Sequence, residues 1–127
     1  MGDTSPEQDA CLDFFRTWIQ ESGKGNLEAM HFDDYDLLRF CRARNFVIDD
    51  IKTMWSNFVD WREENGVDTI IEDYSFDEME QVQQAYPHSY YNIDRLGRPI
   101  YIERIGAANI TELWKVTTED RLMRHFI

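Results

Sequence analysis

Runs of basic residues, long apolar stretches and paired cysteines are what this sequence has least of. Across 127 residues, 25 acidic side chains face 13 basic ones, giving a formal charge of −12. A surplus of that size repels phosphate backbones and anionic bilayers at long range, which argues against bulk nucleic-acid binding and against a polybasic membrane anchor. Nowhere do about 18 apolar residues run together, the length that marks a membrane-crossing helix. The opening MGDTSPEQDA has neither the positive nor the apolar region of a secretion signal, and Pro6 stands where myristoylation of Gly2 would want Ser or Thr. Cys11 and Cys41 are too few for a disulfide framework and read as small buried thiols of a reducing, cytoplasmic setting. Aromatic side chains, by contrast, are plentiful at 14% of residues, within an apolar total of 43%. That is enough to fill a core, and disorder is not expected.

The charge is uneven, and the unevenness suggests a seam. Residues 1–87 hold 20 acids and 7 bases, whereas residues 88–127 hold 5 acids and 6 bases. Before Tyr86-Pro87 the apolar period is helical. Ser5-Pro6-Glu7-Gln8 forms a capping box ahead of Cys11, Phe14, Phe15, Trp18 and Ile19, and Gly23-Lys24-Gly25 stops the helix. A second helix is predicted from Asp33 or Asp34 to near Asn45, carrying Leu37, Leu38 and Cys41 on one side. A third runs from about Asp49 to Asn65-Gly66 with Ile51, Trp55 and Phe58 in step, and a short fourth follows Ser75 and reaches Ala85. After the seam the period becomes two. Residues 89–93 and 98–104 read as a β-hairpin around Asp94-Arg95-Leu96-Gly97, and a four-residue loop sets Ile93 opposite Arg98 and Tyr90 opposite Tyr101. Thr117-Thr118 then caps a last helix.

Enzymatic readings find little support. His31, His88 and His125 lie in different elements without metal spacing, no glycine-rich phosphate loop or nucleophile elbow is present, and the acidic pairs Asp33/Asp34 and Asp49/Asp50 are explained by helix starts. No metal, no cofactor and no catalytic residue is expected. Two clusters remain. Arg39, Arg42 and Arg44 on one helix can hold a phosphate or pair with Asp33, Asp34 and Asp36. Tyr90 and Tyr101, facing each other on the hairpin, can cage a quaternary ammonium or merely stabilise the sheet.

The segments DLLRFCRARNFVIDDIKTMWSNFVDWREENGVDTI, YPHSYYNIDRLGRPIYIERIGAANITEL and KVTTEDRLMRHFI resemble, in order and spacing, the N-terminal part of the phosphatidylinositol/phosphatidylcholine transfer proteins of the CRAL-TRIO family. The resemblance implies an α+β chain: a CRAL-TRIO N-terminal helical domain over 1–87, then over 88–127 the opening hairpin and first helix of an α/β lipid-binding domain. In that family the second domain encloses one phospholipid behind a mobile gate helix and exchanges it at a membrane. By position, Arg44 matches an arginine that helps bind the phosphate of an inositol lipid, while Tyr90 and Tyr101 match tyrosines of the choline site.

The implied ligand is phosphatidylinositol or phosphatidylcholine, the implied work is exchange of phospholipid between membranes without covalent chemistry, and the implied habit is a cytoplasmic monomer that touches membranes transiently. One hairpin cannot sequester two acyl chains, because a pocket must bury most of its ligand. The chain is therefore read as truncated relative to the family and not competent for transfer alone. The alternative is an acidic helical protein-interaction module, or a dominant-negative fragment, whose exposed aromatic surface docks a protein partner.

Overall fold

The computed structural model describes residues 4–127, and these divide into two compact units, one ending at Asp68 and the other comprising Thr69–Ile127. The sequence seam at Tyr86-Pro87 lies inside the second unit.

The first unit holds α1 (Pro6–Ser22), α2 (Asp34–Ala43) and α3 (Ile48–Glu64). Both capping boxes are local chemistry made visible. The Ser5 hydroxyl accepts from the Gln8 N–H while the Gln8 side chain accepts from the Ser5 N–H, and Asp33 and Asp36 do the same at the start of α2. The α1 helix closes on Gly23 in the left-handed region, as predicted, and α3 closes on Asn65. Its core comprises Leu12, Phe15 and Ile19 from α1, Leu37, Leu38, Phe40 and Cys41 from α2, and Ile51 and Trp55 from α3. The α1 stripe thus turns one step from the predicted one. Leu12 is buried, whereas Phe14 is 53% exposed, with the Lys52 ammonium 4.9 Å from its ring centre.

Trp55 is the hub of this core. Its ring centroid lies 5.0–6.0 Å from those of Phe15, Phe32, Phe40 and Phe58, and its indole N–H donates to the Lys24 carbonyl at 2.7 Å. Gly25 passes directly over it. At φ +88° this glycine takes a conformation that disfavours a side chain, and a Cβ there would stand 3.1 Å from Val59 and 3.4 Å from Trp55.

The second unit holds α4 (Ile70–Asp73), α5 (Met79–Ala85), the antiparallel strands β1 (His88–Ile93) and β2 (Pro99–Glu103), α6 (Ile110–Val116) and α7 (Glu119–Phe126). The chain is thus α+β, as expected. Two of its helices, α4 and α6, are additions to the sequence reading. The core is small, made of Val82 and Ala85 from α5 and Leu113 from α6, flanked by Phe76, Tyr86 and Leu122.

Polar bonds hold α7 in place. Arg121 grips Glu78 with two N–H groups at 2.5 and 2.6 Å and reaches the Ser75 carbonyl, while the Thr117 hydroxyl donates to the same carboxylate at 2.9 Å. The guanidinium holds the Glu78 carboxyl down at about 2, against the opposing effect of burial, with help from its own backbone and the Thr117 hydroxyl. A carboxyl lowered on folding stabilises the fold fully above its ordinary value of 4.5 and loses that contribution as pH falls toward 2. The second unit is therefore expected to loosen between about pH 4.5 and 2. Near-ultraviolet circular dichroism followed down that range will register it, and Glu78→Gln should be weaker at pH 7 while losing the acid step. An unchanged acid step in the variant would show that another carboxylate causes it.

Candidate functional site

Arg44 and the tyrosine pair lie on different units, and each place is built from its own local structure. In the first unit, Arg44 is the residue after α2, at the start of a tight turn in which Asn45 and Phe46 both have positive φ. The turn is tied by the Phe46 N–H to the Cys41 carbonyl at 2.8 Å and the Val47 N–H to the Arg44 carbonyl at 2.9 Å. Phe46 packs on the core, so the backbone beneath Arg44 is fixed while its side chain is exposed.

The nearby aspartates are already engaged. Asp33 caps α2, Asp34 takes two bonds from Arg16 at 2.6 and 2.9 Å, and Asp36 pairs with Arg39 at 3.3 Å. Among the described residues neither Arg42 nor Arg44 has a carboxylate at ion-pair distance, and the Arg44 guanidinium donates only to the adjacent Ala43 carbonyl. Of the two uses open to these arginines, local pairing is thus taken by Arg39 alone.

In the second unit, Tyr90 and Tyr101 are Cα partners across the hairpin, and their ring centroids are 5.2 Å apart with planes at 52°. The route to this register differs from the predicted one. Ile93 pairs with Pro99 rather than Arg98, and counting from there would put Tyr91 opposite Tyr101. One extra residue between Tyr90 and Ile93 restores the pair, with Asn92 at φ +61°. The turn itself is held by Asp94, whose carboxylate accepts from the N–H groups of Leu96 and Arg98 and from the Arg98 side chain.

The two rings border a cavity of about 280 Å³ whose other walls include Gln83, His88, His125 and Phe126. That volume suits a headgroup and is below the usual range for a whole drug-sized ligand. The Tyr101 hydroxyl donates to Glu103 at 2.9 Å, and burial together with that carboxylate pushes its ionisation up to about 12. The phenol therefore stays neutral at any physiological pH.

The histidines were legible singly and not as a pair. His31 sits in a turn of the first unit, but His88 and His125 meet with ring centroids 5.8 Å apart. His88 is 6% exposed; its Nδ1 lies 2.7 Å from the Tyr86 carbonyl, and its Nε2 is buried with no hydrogen-bond partner among the described residues. A carbonyl only accepts, so Nδ1 carries the proton and Nε2 is a bare acceptor in the neutral ring. Among the described residues no cluster of three or more His, Cys, Asp or Glu is placed to hold a metal, and no helix is long and apolar enough to cross a membrane.

Comparison with known proteins gives this geometry a context. The family model for the CRAL/TRIO N-terminal domain matches residues 11–57, which cover most of α1, all of α2 and the first part of α3. The chain is 48% identical over 101 residues, 80% of its own length, to the phosphatidylinositol/phosphatidylcholine transfer protein SFH9 of Arabidopsis thaliana, of which it covers 17%. It is 40% identical over 126 residues, 99% of its length, to the SEC14 cytosolic factor of Eremothecium gossypii, of which it covers 40%, and 38% identical over 121 residues to the transfer protein SFH13 of Arabidopsis thaliana. It spans less than half the length of these curated relatives. Residues 11–57 thus carry the CRAL/TRIO N-terminal domain, and the chain's likeness to these transfer proteins extends through the hairpin to α7.

Proposed function

We propose that this chain supplies headgroup contacts for binding phosphatidylinositol and phosphatidylcholine, in a protein that carries these lipids between membranes. The observation that supports it most is the tyrosine pair: two phenol rings in contact, tilted by 52°, at the edge of a headgroup-sized cavity and kept opposite each other by a bulge. Two ring faces attract a quaternary ammonium by cation–π interaction without needing a formal negative charge. Arg44 is the proposed phosphate contact for the inositol lipid, since among the described residues its guanidinium has no carboxylate partner and can offer a fork to phosphate oxygens. On this reading residues 88–127 begin the lipid-binding domain, the work is non-enzymatic, and the protein is cytoplasmic and meets membranes only in passing. Names of relatives that include lipid transfer and a cytosolic factor support the same reading.

A chimera tests it. This chain replaces the matched segment of the SEC14 cytosolic factor of Eremothecium gossypii, the purified protein is exposed to vesicles of both lipids, and bound lipid is extracted and weighed by mass spectrometry. Both lipids should be recovered, and Arg44→Ala should lower phosphatidylinositol at least fivefold while sparing phosphatidylcholine. A folded chimera that returns no phospholipid sinks the reading; an Arg44→Ala loss equal for both lipids, with a lower melting temperature, would make Arg44 structural.

A further inference from the structure

The cavity beside Tyr90 and Tyr101 is bordered by two titratable rings that the headgroup reading leaves without a role. His88 forms part of its wall from β1 and His125 from the C-terminal turn of α7. Their immediate surroundings are aromatic: Tyr86, Tyr101 and Phe126 lie 5.0–6.3 Å from the His88 ring, and Phe76 stacks on His125 at 4.5 Å with planes at 15°. Resting on the reading that the tyrosines hold choline, we propose that His125, packed against the buried His88 ring, sets the charge of this cavity, admitting a quaternary ammonium while its ring is neutral and rejecting it once that ring is protonated.

Each contact points the same way. The Nδ1–H of His88 is spent on the Tyr86 carbonyl, so a second proton must go onto Nε2, which is buried among rings with no acceptor to receive its hydrogen bond. The charged groups around the pair offer limited relief. On β2, Glu103 is bonded to the Tyr101 hydroxyl; Glu78, ahead of α5, is bound by Arg121 and Thr117. On α7 itself, Arg121 is held by that carboxylate, while the Arg124 guanidinium lies 5.1 Å over the Tyr74 ring and adds positive charge. From α5 come only Met79 and the Gln83 amide, which donates to the His88 carbonyl. Burial first, and the neighbouring His88 second, push the His125 ionisation below its ordinary value, with Glu78 opposing. A cation introduced here faces the same ring surfaces that would hold an ammonium, and like charges at such separations repel.

The test uses this chain and dodecyltrimethylammonium below its micelle concentration, a quaternary ammonium without a phosphate. Tyrosine and histidine ring resonances are followed by NMR at pH 7.5 and pH 5. At pH 7.5 the probe should shift the Tyr90 and Tyr101 rings, and at pH 5 it should bind at least tenfold more weakly. His125→Phe, which keeps a ring against Phe76, should shrink the pH effect to threefold or less, and His125→Gln should shrink it as well; if one variant fails to fold, the other decides. Equal affinity at both pH values, or an undiminished pH effect in the folded variants, overturns the histidine proposal and leaves the tyrosine reading standing. Absence of any tyrosine shift at either pH removes the tyrosine reading and this proposal with it.

Discussion

Replacing Trp55 by alanine should cost the first unit about 3–5 kcal/mol, the range for deleting a large buried aromatic. The indole is fully buried, meets four aromatic rings, and satisfies the Lys24 carbonyl at the point where the chain leaves α1. A small domain has a net stability of roughly 0.05–0.15 kcal/mol per residue, so this loss consumes most of what a unit of this size has. Thermal melting should show it as a fall of roughly 12 °C or more. Trp61→Ala provides the comparison, because Trp61 is 42% exposed and its removal should stay within about 0.5 kcal/mol. Similar melting points for the two variants would mean that Trp55 is not the hub. Trp55→Phe should fall between them, keeping ring contacts and losing the bond to Lys24.

The second large effect concerns binding. In the chimera, Tyr90→Ala with Tyr101→Ala should reduce recovered phosphatidylcholine at least tenfold, since each ring face is worth about 0.5–2 kcal/mol to a cation depending on how far it is desolvated. Tyr90→Phe with Tyr101→Phe should cost less than threefold. The ring face survives that change, and the Tyr101 hydroxyl is already occupied by Glu103. Phosphatidylinositol, which has no ammonium, should change little in either variant. If the phenylalanine pair loses as much as the alanine pair, hydroxyl contacts rather than ring faces hold the lipid.

What could be read from the sequence was whatever is decided within a few residues. The box at Ser5–Gln8 and the Gly23 stop depend only on local backbone and side-chain chemistry, and both are found. The second box, between Asp33 and Asp36, follows the same chemistry, although the sequence reading gives only a helix start at Asp33 or Asp34. The α6 helix was missed because seven residues hold only two turns, and just one of them, Leu113, is buried. Its position depends on Val82 and Ala85 of α5, far away in sequence. Phe14 misled for a related reason: it follows a helical spacing of its own with Cys11 and Trp18, yet it stays half-exposed and meets the Lys52 ammonium rather than the core. The tyrosine pair was found by a count that assumed a regular ladder, and the ladder is irregular. The meeting of His88 with His125 had no signal in spacing at all, since it is made by the return of α7 to the hairpin.

The extra residue at Asn92 has a mechanical meaning. Without it, the ladder leaving the Asp94–Gly97 turn would bring Tyr91 opposite Tyr101 and send Tyr90 to the other phase of the pleat. The bulge therefore acts as a phase adjuster between the hairpin tip and the aromatic pair. Tip length and ring alignment become separable: a tip altered by one residue can keep the two phenols opposed if position 92 absorbs the difference, whereas a change at either place alone throws them out of step.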